Sequence, residues 1–535
     1  MSTVAVVGAG IGGLSTALAL AADGHDVTVL ERAEGFEAVG AGLLLTPNAV
    51  QPLARLGVDL AKAGQVLSQI TVCGRGGRPI STISLTRLAD TYGPSYAVER
   101  SALHTLLAEA LPSSTEVLLG APVTAVRQSG RTVALTWPGG ERNFDVVVAA
   151  DGLRSAVRTM MDGPRRLRYS RNTCWRGIVP LDEVGSGAVE SWANGSRVGV
   201  VPLGDGQVYY YLVRVSPAGS QTPASMERLR ALFSEHAGTA GRLIEALSEL
   251  PPLHNDLYEL DRPFWGRGRV LLLGDAAHAM TPNQGQGAAM AVEDALAVTL
   301  ALRAGADGAL ERYREARRRR VRQVQLSSRR IGTLANLRGP GVAPVREALM
   351  RLAPPSAATS AMRKLVAHCS PEPHLSTPSA VPSRFDTPPL KEGALKSSTT
   401  SVRSAAVAGW SLIVLGIGHV STVVASYGRH DEATRRALDG IEQVRVAMPG
   451  LQPTLAHLFN GYSLTMALLL VTVGTLLVLI ARHTQQAPGL LVAALWVVVV
   501  FAGVGLVLSW LFLPLPPLVG LTVALVAGLV GLAAV

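Results

Sequence analysis

Gly8, Gly10 and Gly13 stand in the spacing Gly-x-Gly-x-x-Gly directly behind the β-branched run TVAVV at 3–7. That order suits a dinucleotide. The first glycine permits the tight turn out of a strand, the second lets backbone approach a pyrophosphate, and the third lets the following helix pack on the sheet. The helix N-terminus favours the phosphate charge. An Ala- and Leu-rich stretch follows, then a second short strand at 26–30 that closes on Glu31 and Arg32. Glu31 can accept hydrogen bonds from a ribose diol, and Arg32 beside it is a further cofactor-binding candidate. The pattern points to a dinucleotide rather than an empty turn, but it does not choose between FAD and NAD.

Two further strand ends carry carboxylates. The run 146–150 closes on Asp151 and Gly152, and 270–273 closes on Gly274 and Asp275. Asp275 suits either a cofactor hydroxyl or a helix N-cap. Gly285-Gln286-Gly287 opens a helix whose free N–H groups and dipole favour negative charge. The cysteines are Cys73, Cys174 and Cys369, with no Cys-x-x-Cys pair, so a disulfide scaffold, a zinc site and an iron–sulfur site are unsupported. His278 has no metal partner in the pattern and reads as structural.

The elements that must position these residues form an α/β fold. A Rossmann-like domain at 1–170 and 262–370 is interrupted at 171–261 by a β-sheet substrate domain with alternating strands. Long helices are expected near 287–304 and 309–330. A Pro-, Ser- and Thr-rich linker covers 371–404. The rest, 405–535, carries four apolar stretches free of Asp, Glu, Lys and Arg, at about 405–426, 459–480, 489–513 and 515–535. Each has about the 20 residues needed to cross a bilayer core of roughly 30 Å, so an all-α four-helix transmembrane domain is expected. Basic residues flanking the spans place both termini, and with them the catalytic part, on the cytoplasmic side. No basic-then-apolar leader precedes the first strand.

The formal charge is +10, but charged residues are only 16% and aromatics 5% of the chain. No basic stretch is interleaved with stacking aromatics, so nucleic acid is disfavoured. Much of the excess lies in one run, 312–330, with four consecutive arginines at 317–320. It reads as a solvated helix face, or as a face resting on anionic lipid.

Over about residues 1–370 the chain resembles the class A flavoprotein monooxygenases, the family of aromatic-ring hydroxylases and of zeaxanthin epoxidase. The segment 144–158 (FDVVVAADGLRSAVR) looks like that family's DG motif, and 274–294 (GDAAHAMTPNQGQGAAMAVED) looks like its GD motif. Arg100, in ERSALHTLL, matches the arginine at a helix start that contacts FAD. The resemblance implies FAD as cofactor and NAD(P)H as co-substrate. It implies cofactor contacts from Arg100, Asp151, Gly152, Asp275, Pro282, Gly285, Gln286 and Gly287. Arg158 suits either a cofactor phosphate or a brace for its own turn. The implied cycle reduces FAD with NAD(P)H, forms a flavin C4a-hydroperoxide with O2, and delivers one oxygen atom to an aromatic ring or an olefin.

Cys174-Trp175-Arg176-Gly177-Ile178-Val179-Pro180 resembles the strand facing the flavin in that family, and it lacks the WxWxIP pattern of flavin halogenases. No side chain is required as acid or base, because the cofactor carries the hard chemistry. Arg176, Tyr209 and Tyr211 are the substrate-side candidates; Arg176 suits a substrate contact and a plain sheet face equally. The C-terminal stretches loosely resemble small four-helix membrane proteins of the DoxX type. With a lipid bilayer as partner, a small lipophilic substrate entering from it is expected. His419 is the ionisable side chain inside a span, a functional candidate or a hydrogen bond to a neighbouring span. The competing readings are a membrane-bound flavin reductase passing electrons to a quinone or olefin, and a redox sensor acting on the membrane domain.

Overall fold

The computed structural model describes residues 1–36, 41–220, 225–247, 252–339, 342–352 and 355–367, then 405–415, 467–478 and scattered positions beyond 415. It divides into two units, 1–377 and 378–535.

In the first unit, Thr3–Val7 is the middle of the cofactor sheet. It pairs in parallel with Asp26–Leu30 on one side and Val146–Ala149 on the other. The strand order is Gly266–Arg267, Val270–Leu272, Val146–Ala149, Thr3–Val7, Asp26–Leu30, Glu116–Leu118. These strands read as unbroken apolar runs because both faces are covered. On one face lie the Ile11–Ala22 and Gly287–Arg303 helices, contributing Leu14, Ala17, Leu18, Met290 and Val298 to the core. On the other a three-stranded antiparallel sheet, Ala125–Ser129, Thr132–Trp137 and Gly140–Phe144, contributes Val133, Leu135 and Phe144. The two strands that end on Gly8 and Asp151 are neighbours, and a crevice beyond such carboxyl ends is where open α/β sheets bind ligands.

The second sheet has seven strands in the order Leu253–Leu260, Leu167–Pro180, Gln207–Val215, Ser196–Gly204, Gly187–Trp192, Gln69–Gly74, Pro79–Ser84. The 171–261 reading therefore needs enlarging. The hairpin at 69–84 joins this sheet, with Gln69–Gly74 parallel to Gly187–Trp192. One face packs on the Met226–Leu232 and Thr239–Ala246 helices through Trp175, Val198, Val200, Tyr210 and Leu212.

The arginine run also differs from the reading as a solvated face. It lies on the Ala309–Ala335 helix, where Arg317 and Arg320 are buried along with Tyr313, Val321, Val324 and Ser328. Helical periodicity explains this: those positions share one stripe, while Arg318 and Arg319 point outward.

In the second unit, 405–415 and 467–478 are helical. Ala405, Ala408, Leu412, Leu470 and Leu477 face one another. A Cβ on Gly409 would lie 2.8 Å from the Gly474 carbonyl oxygen, so only glycine permits this backbone approach. Val407, Trp410, Val414, Leu468, Leu469 and Leu476 point outward and are exposed. Among the described residues no helix is long and apolar enough to cross a membrane. Most of the four expected spans, His419 and the 371–404 linker lie outside the described residues.

Candidate active site

At the glycine turn, each glycine answers to a different neighbour. Gly8 has φ +101°, and a Cβ there would meet the Ala150 carbonyl oxygen at 2.8 Å. On Gly13 a Cβ would lie 1.8 Å from the Gly8 carbonyl oxygen. A Cβ on Gly10 would meet nothing within 4 Å, so this glycine faces open space. Gly12, which carried no role in the motif, sets helix packing: its Cβ would stand 3.0 Å from the Ala291 Cβ. The Ile11–Ala22 helix has no side-chain cap and no acid in its first turn. Its first N–H groups are thus free for an anion.

Glu31 binds back onto this turn. Its carboxylate accepts from the Ala9 N–H at 2.6 Å and from the Ala33 N–H at 3.0 Å. Arg32 is exposed beside it. His104 adds a 2.6 Å contact between Nε2 and the Ala9 carbonyl, a brace that the sequence pattern did not signal.

Asp151 accepts from the Val157 N–H at 3.1 Å through Oδ2, while its Oδ1 is buried with no protein partner. Burial pushes this carboxyl up from its ordinary value. Gly152 turns at φ +78°. Arg158 is a brace: it is buried and donates to the carbonyls of Ala276 at 2.7 Å and Leu153 at 2.6 Å, tying the two motifs together.

Asp275 sits in the first turn of the Gly274–His278 helix, whose N-cap is Leu273. It is solvent-accessible yet enclosed by protein, as a residue on the wall of a cleft would be. Burial pushes its carboxyl up, against the pull of His278, Arg100 and Arg158. Arg100, the exposed first residue of the Arg100–Glu109 helix, is thereby brought toward the same cleft. His278 itself is buried and 2.5 Å from Asp294, a structural pairing.

Pro282 opens the short Pro282–Gln284 turn and is exposed, and Gly285 follows in the left-handed region at φ +64°. The Gly287–Arg303 helix begins with no side-chain cap and no acid in its first turn. The Gln286 side chain, expected at the cofactor, is 1% exposed and turned inward instead. It donates to Thr46 Oγ1 at 2.9 Å and accepts from Asn48 at 2.9 Å. Only its backbone remains available to a ligand. Behind it, Glu293 and Asp294 pair with Arg317, and Glu293 also with Arg320. Burial opposes Asp294 ionising, but His278 and Arg317 outweigh it and hold its pKa down at about 2. The acids at 293 and 294 were visible in an otherwise apolar helix; Thr46 and Asn48 gave no such signal.

An open glycine cradle, two uncapped helix starts and the enclosed Asp275 fit a dinucleotide bearing a ribityl chain. Among the described residues no group of His, Cys, Asp and Glu could hold a metal.

On the other face of the seven-stranded sheet, register places Arg176 opposite Tyr211 and Ile178 opposite Tyr209. Tyr209 and Tyr211 lie 5.9 Å apart ring to ring, while Tyr210 points into the opposite core. A Cβ on Gly42 of the Gly42–Leu45 strand would meet the Tyr209 Cβ at 2.5 Å, so this face abuts the cofactor domain. Arg176 donates to Asn255 Oδ1 at 2.9 Å, leaving its Nε buried without a partner. Burial pushes the hydroxyls of Tyr209 and Tyr211 well up; Arg176 pulls that of Tyr209 back only in part. Both therefore stay neutral near pH 7. Leu44, Ile70, Val201 and Met362 complete an apolar surround.

The model of a family described as an FAD binding domain matches residues 1–328. The aurachin C monooxygenase/isomerase of Stigmatella aurantiaca is 36% identical over 361 residues, which are 65% of this chain and 94% of that protein. The 2-heptyl-3-hydroxy-4(1H)-quinolone synthase of Pseudomonas aeruginosa is 34% identical over 367 residues, 66% of this chain and 94% of the other. The solved structure of Klebsiella pneumoniae HpxO with FAD and uric acid superposes with a TM-score of 0.63 at 28% identity, covering 69% of this chain and 97% of that one.

Proposed function

Because the chain belongs to the FAD-dependent monooxygenases, we propose that it uses NAD(P)H and O2 to insert one oxygen atom into a lipophilic aromatic or olefinic substrate. FAD, when bound, supplies the site where electrons from the nicotinamide meet oxygen. The protein's part is to hold the cofactor, orient the substrate and exclude water.

The observation that carries the substrate class is the sheet face at Tyr209, Tyr211 and Arg176. Two neutral phenols and an aliphatic surround suit an apolar ring, and one guanidinium suits a carbonyl or phenolate on it. Neither phenol is ionised near neutral pH, so neither serves as a base there. One relative, the 2-heptyl-3-hydroxy-4(1H)-quinolone synthase of Pseudomonas aeruginosa, is named for a ring with an alkyl tail, which agrees with this class.

The proposal extends to the second unit: its four uncharged stretches anchor the enzyme in a bilayer, with the catalytic unit on the cytoplasmic side. At 405–415 and 467–478 Ala405, Ala408, Leu412, Leu470 and Leu477 face one another, while Val407, Trp410, Val414, Leu468, Leu469 and Leu476 point outward, and that exposed apolar surface supports the reading. A water-soluble helix pair carries polar residues on its outer face instead.

The test is turnover of the detergent-solubilised full chain under labelled oxygen with alkylated quinolones and phenols. One labelled atom in the product, coupled to nicotinamide oxidation, is the expected result. Nicotinamide oxidation coupled only to an added quinone would replace this reading with a reductase. Release of the protein from membranes by alkaline carbonate would remove the anchoring.

A further inference from the structure

The start of the Gly287–Arg303 helix is held from behind by a closed hydrogen-bonded ring. Asn48 Nδ2 donates to Gln286 Oε1 at 2.9 Å and to Glu293 Oε1 at 2.8 Å. Thr46 Oγ1 donates to Asn48 Oδ1 at 2.6 Å and accepts from Gln286 Nε2 at 2.9 Å. Thr46, Asn48 and Gln286 are each about 1% exposed. Every polar atom of the Asn48 and Gln286 amides has a partner, which fixes their orientation.

Glu293 fastens the ring to the rest of the unit. Burial opposes its ionisation, but Arg317 and Arg320 outweigh it and hold it below the ordinary carboxylate range. Arg320 in turn donates to the Leu365 carbonyl at 2.6 Å. Asn48 is thus the donor that joins the Gln286 side chain to a fixed charge. Gln286 is the N-cap of the helix, and Gly285 before it is in the left-handed region. Asn283 and Gln284 tie the preceding turn to Ser328 and Ser327, and the ring is what holds the Gln286 side chain that follows.

We infer that Asn48 is a positioning residue that, through Gln286, fixes the backbone amides of the Gly285–Gly287 turn against the flavin. Those amides and the helix dipole favour negative charge at the helix start. Reduced flavin carries more negative charge than oxidised flavin, so loosening the amides weakens binding of the reduced form more. This rests on FAD binding alone and not on the substrate class.

The experiment uses the full chain in detergent and measures the two-electron potential of bound flavin, the affinity of FAD for the apoprotein, and the melting temperature. Asn48→Leu keeps the branched shape and removes both donations and the oxygen that accepts from Thr46. Its expected effect is a tenfold larger loss for reduced than for oxidised flavin, a fall of about 30 mV. Thr46→Val, which keeps shape and loses one hydroxyl, gives a smaller fall in the same direction and decides the matter if Asn48→Leu does not retain flavin. Leu53→Ala, in the core of the same Pro47–Arg55 helix, lowers the melting temperature and leaves the potential where it was. A wild-type potential in both ring variants, whatever happens to melting temperature, would overturn the assignment and leave the ring a structural feature.

Discussion

The glycine turn and the proposed substrate face of the seven-stranded sheet place function in different parts of the chain. At the turn it lies in backbone: Gly8, Gly10 and Gly13 contribute by what they lack, and even a methyl group would strike backbone at Gly8 and Gly13 or enter the open space at Gly10. On the sheet it lies in side chains. Arg176, Tyr209 and Tyr211 project from a backbone that would pair equally well with other residues, while Trp175 and Tyr210 on the same strands project into a core. The lesson is that the cofactor site tolerates almost no change of residue type, whereas substrate choice can be altered without touching the fold.

The largest effect expected is at Gly13. In Gly13→Ala the Cβ would lie 1.8 Å from the Gly8 carbonyl oxygen, so the helix must leave the sheet, at a cost of more than about 4 kcal/mol. The purified variant is expected to carry no FAD absorption and to melt early or not fold. A holoprotein of normal stability would break the claim that backbone contact governs this region.

Next is Arg317, buried between Glu293 and Asp294. Arg317→Met leaves two carboxylates without their central partner, and denaturant unfolding should show a loss of about 3–5 kcal/mol. The pH dependence follows from Asp294, whose folded pKa of about 2 lies below its ordinary 3.8. A depressed carboxylate stabilises the fold above the ordinary value, and that contribution, on the order of 2 kcal/mol, is lost as pH falls from about 4 to about 2. Acid unfolding of Arg317→Met should therefore begin at higher pH than in the parent chain. Coincident acid limbs would show that the pair carries no such coupling.

The two faces of one strand sharpen the contrast within a single element. Trp175→Ala removes a ring packed on Phe233 and stacked on His254, and should cost about 3–5 kcal/mol in stability with little change in KM. Its neighbour Arg176→Met should change stability by no more than about 1 kcal/mol and raise KM for a substrate with a carbonyl or phenolate by about 10- to 100-fold. Exchanged outcomes, with Trp175 moving KM and Arg176 moving stability, would reverse the assignment of the faces.

Legibility followed the same division. Where function requires glycine, residue type itself records the geometry, and the Gly-x-Gly-x-x-Gly turn and Gly285–Gly287 could be read directly. Alternation along a strand brought Tyr209 and Tyr211 to one face, as a period of two requires. Side-chain partners distant in sequence left no trace: nothing near Gln286 indicates that Asn48, 238 positions earlier, turns its amide inward. At Arg317 and Arg320 a signal existed, since they share a helical stripe with Tyr313, Val324 and Ser328. Four consecutive arginines obscured it by suggesting a solvated surface. The hairpin at 69–84 was assigned to the cofactor domain because sequence distance hid its parallel pairing with Gly187–Trp192. The apolar C-terminal stretches were plain from composition, since absence of charge over about 20 residues is itself the signal.

The most direct test of the account is Gly10→Ala. A Cβ at Gly10 meets no protein atom within 4 Å, so the apoprotein should fold as stably as the parent, or more stably by about 0.4–1 kcal/mol through a less flexible unfolded chain. The space it enters is the one assigned to the pyrophosphate. Titration of the apoprotein with FAD should show affinity at least about tenfold weaker, a difference of roughly 1.4 kcal/mol. Unchanged FAD affinity in a fully folded Gly10→Ala protein would contradict the placement of the cofactor at this turn, and with it the site from which the rest of the mechanism is built.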